Sequence, residues 1–217
     1  LRAAEIVAAA AALFRGRVAV VSSFGADSAV LLQAIADVDP ALPVIFLDTH
    51  LHFMQTLQYR DRLARHFGLR DVRTVFPDSE ERERLDPADA LWKTDIDACC
   101  ALRKVRPLAQ ALAPFDAWIS GRKRFQADTR AALPLVEWDG THVKVNPLAA
   151  FSPEDLAAAI EGAALPAHPL RAQGYASIGC WPCTQPVSPG EAARAGRWRG
   201  AAKTECGIHR PVTEVAS

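Results

Sequence analysis

Short apolar runs alternate with longer amphipathic stretches through the first half of the chain. The runs at 17–21, 44–47, 72–76 and 117–120 are too short for helices and read as buried strands. Between them, apolar positions recur at helical spacing over 1–14, 28–36, 53–67 and 98–112. Gly68 closes the third of these helices. Asp97 introduces the fourth, and Pro107 predicts a kink in it. This alternation predicts an α/β fold: a mostly parallel twisted sheet with helices on both faces. Two further runs, 133–138 and 142–145, flank Asp139-Gly140, a hairpin signal. Ser152, Pro153, Glu154 and Asp155 supply a cap, a first-turn proline and first-turn acids for a helix ending near Gly162. The charged segment 77–87 reads as a solvated connection, with a helical turn over 88–92. From Pro166 onward periodicity gives way to Pro, Gly, Arg and polar residues. The expected organisation is a nucleotide-binding-type α/β body over 1–165 and a C-terminal segment, 166–217, that belongs to the same domain.

In such sheets ligands bind beyond the carboxyl ends of the strands. The first strand delivers Ser22, Ser23, Phe24, Gly25, Ala26, Asp27 and Ser28 to a helix start, where unpartnered N–H groups and hydroxyls favour an anion. Gly25 allows close backbone approach, and Asp27 suits the N-cap or first turn. No Gly-Lys-Ser/Thr follows, so the loop is not a Walker A motif. The second strand ends at Leu47, Asp48 and Thr49. There Asp48 can accept from a ribose or adenine amine, or simply cap the next helix. The fourth strand delivers Gly121, Arg122, Lys123 and Arg124, three successive cations that point to an anion in the same crevice.

Composition narrows the classes. Half of the 217 residues are hydrophobic, and 25 basic residues balance 25 acidic ones. Nothing advertises nucleic acid or an anionic membrane, and no apolar run approaches a membrane span. The Ala-rich start carries Glu5 and lacks a cleavage pattern, so it reads as a first helix and not as a signal peptide. The absence of Met at position 1 implies residues ahead of Leu1.

Five cysteines without an export signal point to a reducing compartment, the cytoplasm, and to metal or catalytic duty. Cys180-Trp181-Pro182-Cys183 alone fits zinc, an iron–sulfur cluster or a dithiol. The adjacent pair Cys99-Cys100 brings the soft donors to four. Structural zinc sites usually space each pair by two to four residues, whereas a cubane offers several iron corners to neighbouring cysteines. Lys104, about one turn past the pair, can set a cation between such a cluster and an anionic ligand, and Arg103 is a second candidate. Cys206 stands apart in Thr204-Glu205-Cys206-Gly207-Ile208-His209, where a mobile cysteine could enter an anion pocket and leave it again.

The segments SSFGADS, LDT, Cys99 to Leu108, GRKRFQ, KVNPL, SIGCWPCT, AGRW and KTECGIH, in this order, resemble the assimilatory sulfonucleotide reductases from Val18 to His209. The resemblance implies an adenine nucleotide α-hydrolase-like (PP-loop) fold, with Ser22 to Ser28 as the nucleotide site. It implies a 4Fe–4S cluster on Cys99, Cys100, Cys180 and Cys183, and Lys104 near cluster and sulfate. Arg122, Arg194, Arg197 and His209 become candidate phosphate or sulfate contacts, and Cys206 the nucleophile. Four cluster cysteines imply adenosine 5′-phosphosulfate (APS) over its 3′-phosphorylated relative PAPS as substrate. The implied activity is thioredoxin-dependent reduction of APS to sulfite and AMP through an S-sulfocysteine in cysteine biosynthesis, with a glutaredoxin-like reductant as the variant. Neither a nucleic acid nor a membrane is implied as partner, and a homo-oligomer stays open. Two departures from the family pattern stand out: His50 where Gly usually follows Asp-Thr, expected to reshape the nucleotide edge, and Phe125 where a polar residue is common.

Within the family the alternative is a PAPS reductase or a dual-specificity enzyme, and two rivals remain outside it. A PP-loop ATP pyrophosphatase, such as a cluster-bearing tRNA sulfur-transfer enzyme, would share the loop. A redox sensor built on four cysteines would bind metal without nucleotide and would not need Cys206.

Overall fold

The computed structural model describes residues 2–209. Leu1, the first residue of the expected N-terminal helix, and the end of the C-terminal segment beyond His209 lie outside the described residues. The chain runs α1 (Ala3–Leu13), β1 (Val18–Val21), α2 (Ser28–Val38), β2 (Val44–Leu47), α3 (Met54–His66) and β3 (Val72–Val75). It continues through α4 (Ser79–Leu85), α5 (Leu91–Thr94), α6 (Ile96–Cys100), a π-helical turn over Ala101–Val105, α7 (Arg106–Leu112) and β4 (Ala117–Ser120). The hairpin β5 (Val136–Trp138) and β6 (Val143–Val145) and then α8 (Pro153–Gly162) complete the regular elements.

The six strands form one sheet in the order β3-β2-β1-β4-β6-β5. All neighbours are parallel except the β5–β6 hairpin, whose turn is held by Asp139 accepting from the N–H groups of Thr141 and His142. Strand residues alternate between two cores, as the pleat requires. Val18, Val20, Val44, Phe46, Ala117 and Ile119 face α1, α2, α3 and α8. Ala19, Val21, Ile45, Leu47 and Trp118 face Leu108 and Leu112 of α7. Helices therefore cover both faces, and the strands read as unbroken apolar runs because both sides are buried.

Three local expectations change. The segment 77–87 is not wholly a connection: Asp78 accepts from Glu81 N–H at 2.8 Å and caps α4, an acid-rich first turn followed by Arg82 and Arg84. The helix expected from Asp97 is capped by Asp95 instead, which accepts from Ala98 N–H at 2.8 Å. Pro107 does not simply kink that helix. It sits in the first turn of α7, and the ladder widens into the π turn just before it, one way a helix absorbs a missing donor. Ser152 caps α8 as its sequence requires, in a reciprocal pair with Asp155.

The C-terminal segment packs back on the body. Leu170 and Ile178 bury against Ala26 of the loop after β1, and Cys180 pairs its backbone with His52.

Candidate active site

The strand order turns back on itself between β1 and β4, and that is where an open α/β sheet leaves a crevice. Val21 lies beside Ser120 in register, so the residues after each strand emerge side by side. A cleft of about 1320 Å³, counting its open mouth, is lined there by Ser22, Ser23, Gly25, Ala26, Asp27 and Ser28 from the first loop, Leu47 from β2, and Gly121 and Arg122 after β4. The C-terminal segment roofs it with Arg194, Arg197, Cys206 and His209.

Three of the expected residues fall elsewhere. The Phe24 ring is fully buried, edge-on to Phe46 at 5.5 Å, because its backbone is left-handed (φ 47°) and turns the side chain into the core. Asp48 accepts from His50 N–H at 3.0 Å, a local turn that neither caps α3 nor reaches the cleft. Thr49 is buried with its hydroxyl 3.2 Å from Cys180 Sγ. His50 itself is exposed, with its ring 5.2 Å from Phe76 and outside the cleft lining. Its left-handed φ of 60° explains why glycine suits the position. Phe125 does line the cleft.

The basic run after β4 divides. Arg122 reaches the cleft and pairs with Glu137, Lys123 is buried against Asp27 at 3.3 Å, and Arg124 donates to Leu133 O at 2.8 Å. Asp27 stands at the N-cap of α2 without making the capping bond. Its carboxylate instead takes Lys123, Gln126 and Arg171.

Several cleft donors are uncommitted. Arg122 Nε, Arg197 Nε and His209 Nδ1 are buried without a hydrogen-bond partner among the described residues. Groups left this way are costly unless a ligand or water completes them. Gly179 makes room for Arg197: a Cβ there would overlap the guanidinium. Burial pushes Arg194 down to about 10 against the pull of Glu205. Burial, then Lys144 and Arg122, holds His209 well below the usual imidazole range. His209 is therefore a neutral ring, stacked on Trp118 at 5.5 Å, that offers a hydrogen bond and not a charge.

A second, smaller cavity of about 310 Å³ adjoins the cleft and is lined by Cys99, Cys100, Cys180 and Cys183 with Leu51, Trp92 and Ile96. Among the described residues no three metal-binding side chains converge on one point; the four thiols ring the cavity instead. Burial raises the Cys99 thiol to about 12 and Cys100 to about 11; at Cys180 burial also works upward, but Lys104, Thr49 and Arg197 together outweigh it and lower the thiol. Lys104 and Trp198 line both cavities and form the wall between them. Burial works against the Lys104 charge, but Cys180, Cys206 and Cys100 outweigh it and raise its pKa. Arg103 does not share that position. It is spent on Asp86 and Asp89, each at 2.6 Å, and on Thr49 O at 2.8 Å.

The sequence reading did not assign Arg130, Glu205, Gly179, Trp198 or His52, although all five line the cleft. Glu205, Gly179 and Trp198 lie inside motifs already quoted. Arg130 sits in an aperiodic turn with no flanking signal.

The sequence model of the phosphoadenosine phosphosulfate reductase domain matches residues 17–186. Two relatives named adenosine 5′-phosphosulfate reductase are similar to the chain. The one from Mesorhizobium japonicum is 56% identical over 94% of this chain and 80% of its own length. The one from Chelativorans sp. is 53% identical over 99% of this chain and 89% of its own. The fold is similar to the crystal structure of phosphoadenylyl-sulfate (PAPS) reductase from Candida auris in a phosphate complex, with a TM-score of 0.72 and 27% identity over 86% of this chain and 91% of that one. The α/β sheet, the crevice after β1 and β4 and these matches agree, and the chain belongs to the phosphoadenosine phosphosulfate reductase domain family.

Proposed function

We propose that the protein reduces APS to sulfite and AMP, with Cys206 as nucleophile and a thioredoxin or glutaredoxin-like dithiol as reductant. The observation that carries this reading is that Cys206, from the far end of the chain, lines the same cleft as the loop after β1 and the cations Arg122, Arg194 and Arg197. The Cys206 thiolate attacks the sulfuryl sulfur. An S–S bond forms, the S–O bond to the phosphate breaks, and AMP departs with the electron pair. A thiolate of the reductant then attacks Cys206 Sγ and sulfite leaves with the electron pair; the second reductant thiol attacks the resulting mixed disulfide, closes the reductant's own disulfide and releases Cys206 as thiolate. A thiolate approaching sulfate and phosphate oxygens meets repulsion, which Lys104, Arg194 and Arg197 offset, and N–H groups at the start of α2 receive the phosphate.

The four thiols around the smaller cavity are soft donors suited to an iron–sulfur cluster. Cys99, Cys100, Cys180 and Cys183 would hold a 4Fe–4S group. Such a group supplies charge and rigidity beside Lys104, while the reductant supplies the electrons. APS is preferred over PAPS in this reading, and a cytoplasmic setting keeps the thiols reduced.

Mass spectrometry tests the nucleophile. Protein purified without oxygen should gain a sulfite-mass adduct on the Cys206 peptide when given APS, and Cys206→Ser should bind nucleotide without forming it. An adduct on the variant would overturn the assignment. Iron content and the visible spectrum test the cluster, and competition between APS and PAPS on iron-loaded protein tests the preference.

A further inference from the structure

Glu205, the residue before Cys206, makes a two-pronged attachment between the tail and the body. Its two carboxylate oxygens take Arg130 Nε at 2.6 Å and Arg130 Nη2 at 2.8 Å, a fork-to-fork pair. Arg194 Nη2 adds a contact at 3.3 Å and also donates to the Thr204 carbonyl at 2.7 Å. Arg130 is 8% exposed and is itself fixed by donating to Gln126 Oε1 at 2.7 Å. Gln126 in turn donates to Asp27 at the start of α2, at 3.4 Å. One continuous chain of charge-assisted bonds thus joins the cysteine's neighbour to the loop after β1. Between Glu205 and the end of the described residues the backbone is irregular, and Gly207 takes a left-handed φ of 91°. Regular structure therefore does not hold Cys206 in place.

We propose that Glu205 is a positioning residue: its ion pair with Arg130, backed by Arg194, latches the tail so that Cys206 is held over the cleft. This deepens the proposed function and rests on it for the identity of the attacking atom. A nucleophile on an irregular tail loses chain freedom at each attack, and a fixed carboxylate one residue away lowers that cost on the N-terminal side of Cys206, as the His209 ring stacked on Trp118 does beyond it. Burial opposes ionisation of Glu205, but Arg130 and Arg194 hold its carboxyl below the usual range. The latch is thus ionised throughout the neutral range.

The test measures the rate at which iodoacetamide, an uncharged probe, labels Cys206 in the full iron-loaded chain, read by peptide mass spectrometry. Glu205→Gln removes charge and latch together. Glu205→Asp keeps the charge but is too short for the two-pronged pair, so it separates a loosened tail from a more acidic thiol. Both variants should label Cys206 faster by about tenfold or more, the scale of one charged hydrogen-bond pair. Single-turnover adduct formation from APS should slow in both, while both variants still bind AMP. Labelling of Glu205→Asp within about twofold of wild type overturns the latch. Faster labelling in a protein that forms no adduct from APS would leave the latch standing and remove the proposed reaction.

Discussion

Replacing Gly179 with alanine should disarm the cleft without unfolding the protein. The added methyl would overlap the Arg197 guanidinium, whose three terminal atoms are the nearest neighbours of the new Cβ. These atoms end a flexible side chain, so the arginine yields and the backbone does not. No left-handed φ is recorded at Gly179, so alanine is conformationally acceptable there. Arg197 would leave its perch 4.4 Å over the Trp198 ring, and its unpartnered Nε would no longer face the cleft. A hydrogen bond to a charged group contributes roughly 1.5–3 kcal/mol, so kcat/KM for APS should fall by roughly 10- to 150-fold. The thermal midpoint should move by only a few degrees. A double-mutant cycle identifies the cause. If the methyl acts through Arg197, Gly179→Ala together with Arg197→Ala should be no worse than Arg197→Ala alone. Losses that multiply, or a Gly179→Ala enzyme with unchanged kcat/KM, would refute the reasoning.

Two further outcomes follow from buried charge. Asp86→Asn should destabilise the protein by about 3 kcal/mol in urea denaturation, because Arg103, 1% exposed, loses its buried charge partner and keeps the half-exposed Asp89 as its remaining carboxylate. An unchanged denaturation midpoint would contradict this. Lys144, buried beside Glu137 and over the Trp118 ring, is pushed down from 10.5 to about 8 by burial and then by Arg122. Its folded pKa lies below its unfolded one, so the unfolded chain binds the extra proton between these values and stability rises with pH across that window. The gain attributable to Lys144 is at most about 3 kcal/mol. Lys144→Met should flatten the difference between denaturation at pH 8 and pH 10, and a variant with the wild-type slope would count against it.

The strands and the crevice were legible because burial on both sheet faces writes continuous apolar runs into the sequence, and because ligand sites in open parallel sheets lie after strand ends. The fate of individual side chains at those ends was not. Phe24, Asp48 and Thr49 sit in motif positions, yet a left-handed backbone, a local turn and a contact with Cys180 turn all three away from the cleft. Arg122, Lys123 and Arg124 look equivalent as a run of charge. They diverge because Arg122 pairs with Glu137, Lys123 with Asp27, and Arg124 with the Leu133 carbonyl. Adjacency in sequence specifies charge density, whereas pairing depends on tertiary neighbours that no local pattern encodes.

The same distinction explains why Lys104 and not Arg103 stands in the shared wall. On a regular helix the two would be near-equal candidates, one residue apart. Pro107 has no N–H to give to the turn before it, and the ladder opens into a π turn at Ala101–Val105 that carries both cations. Arg103 is drawn to Asp86 on one side, where its planar fork meets two carboxylates and a carbonyl. The compact ammonium of Lys104 is left between the four-thiol cavity and the cleft, lining both. Arg103→Lys should therefore not be a mild exchange. A lysine there would lose the fork that anchors the π turn, and Lys104 would lose its fixed place with it.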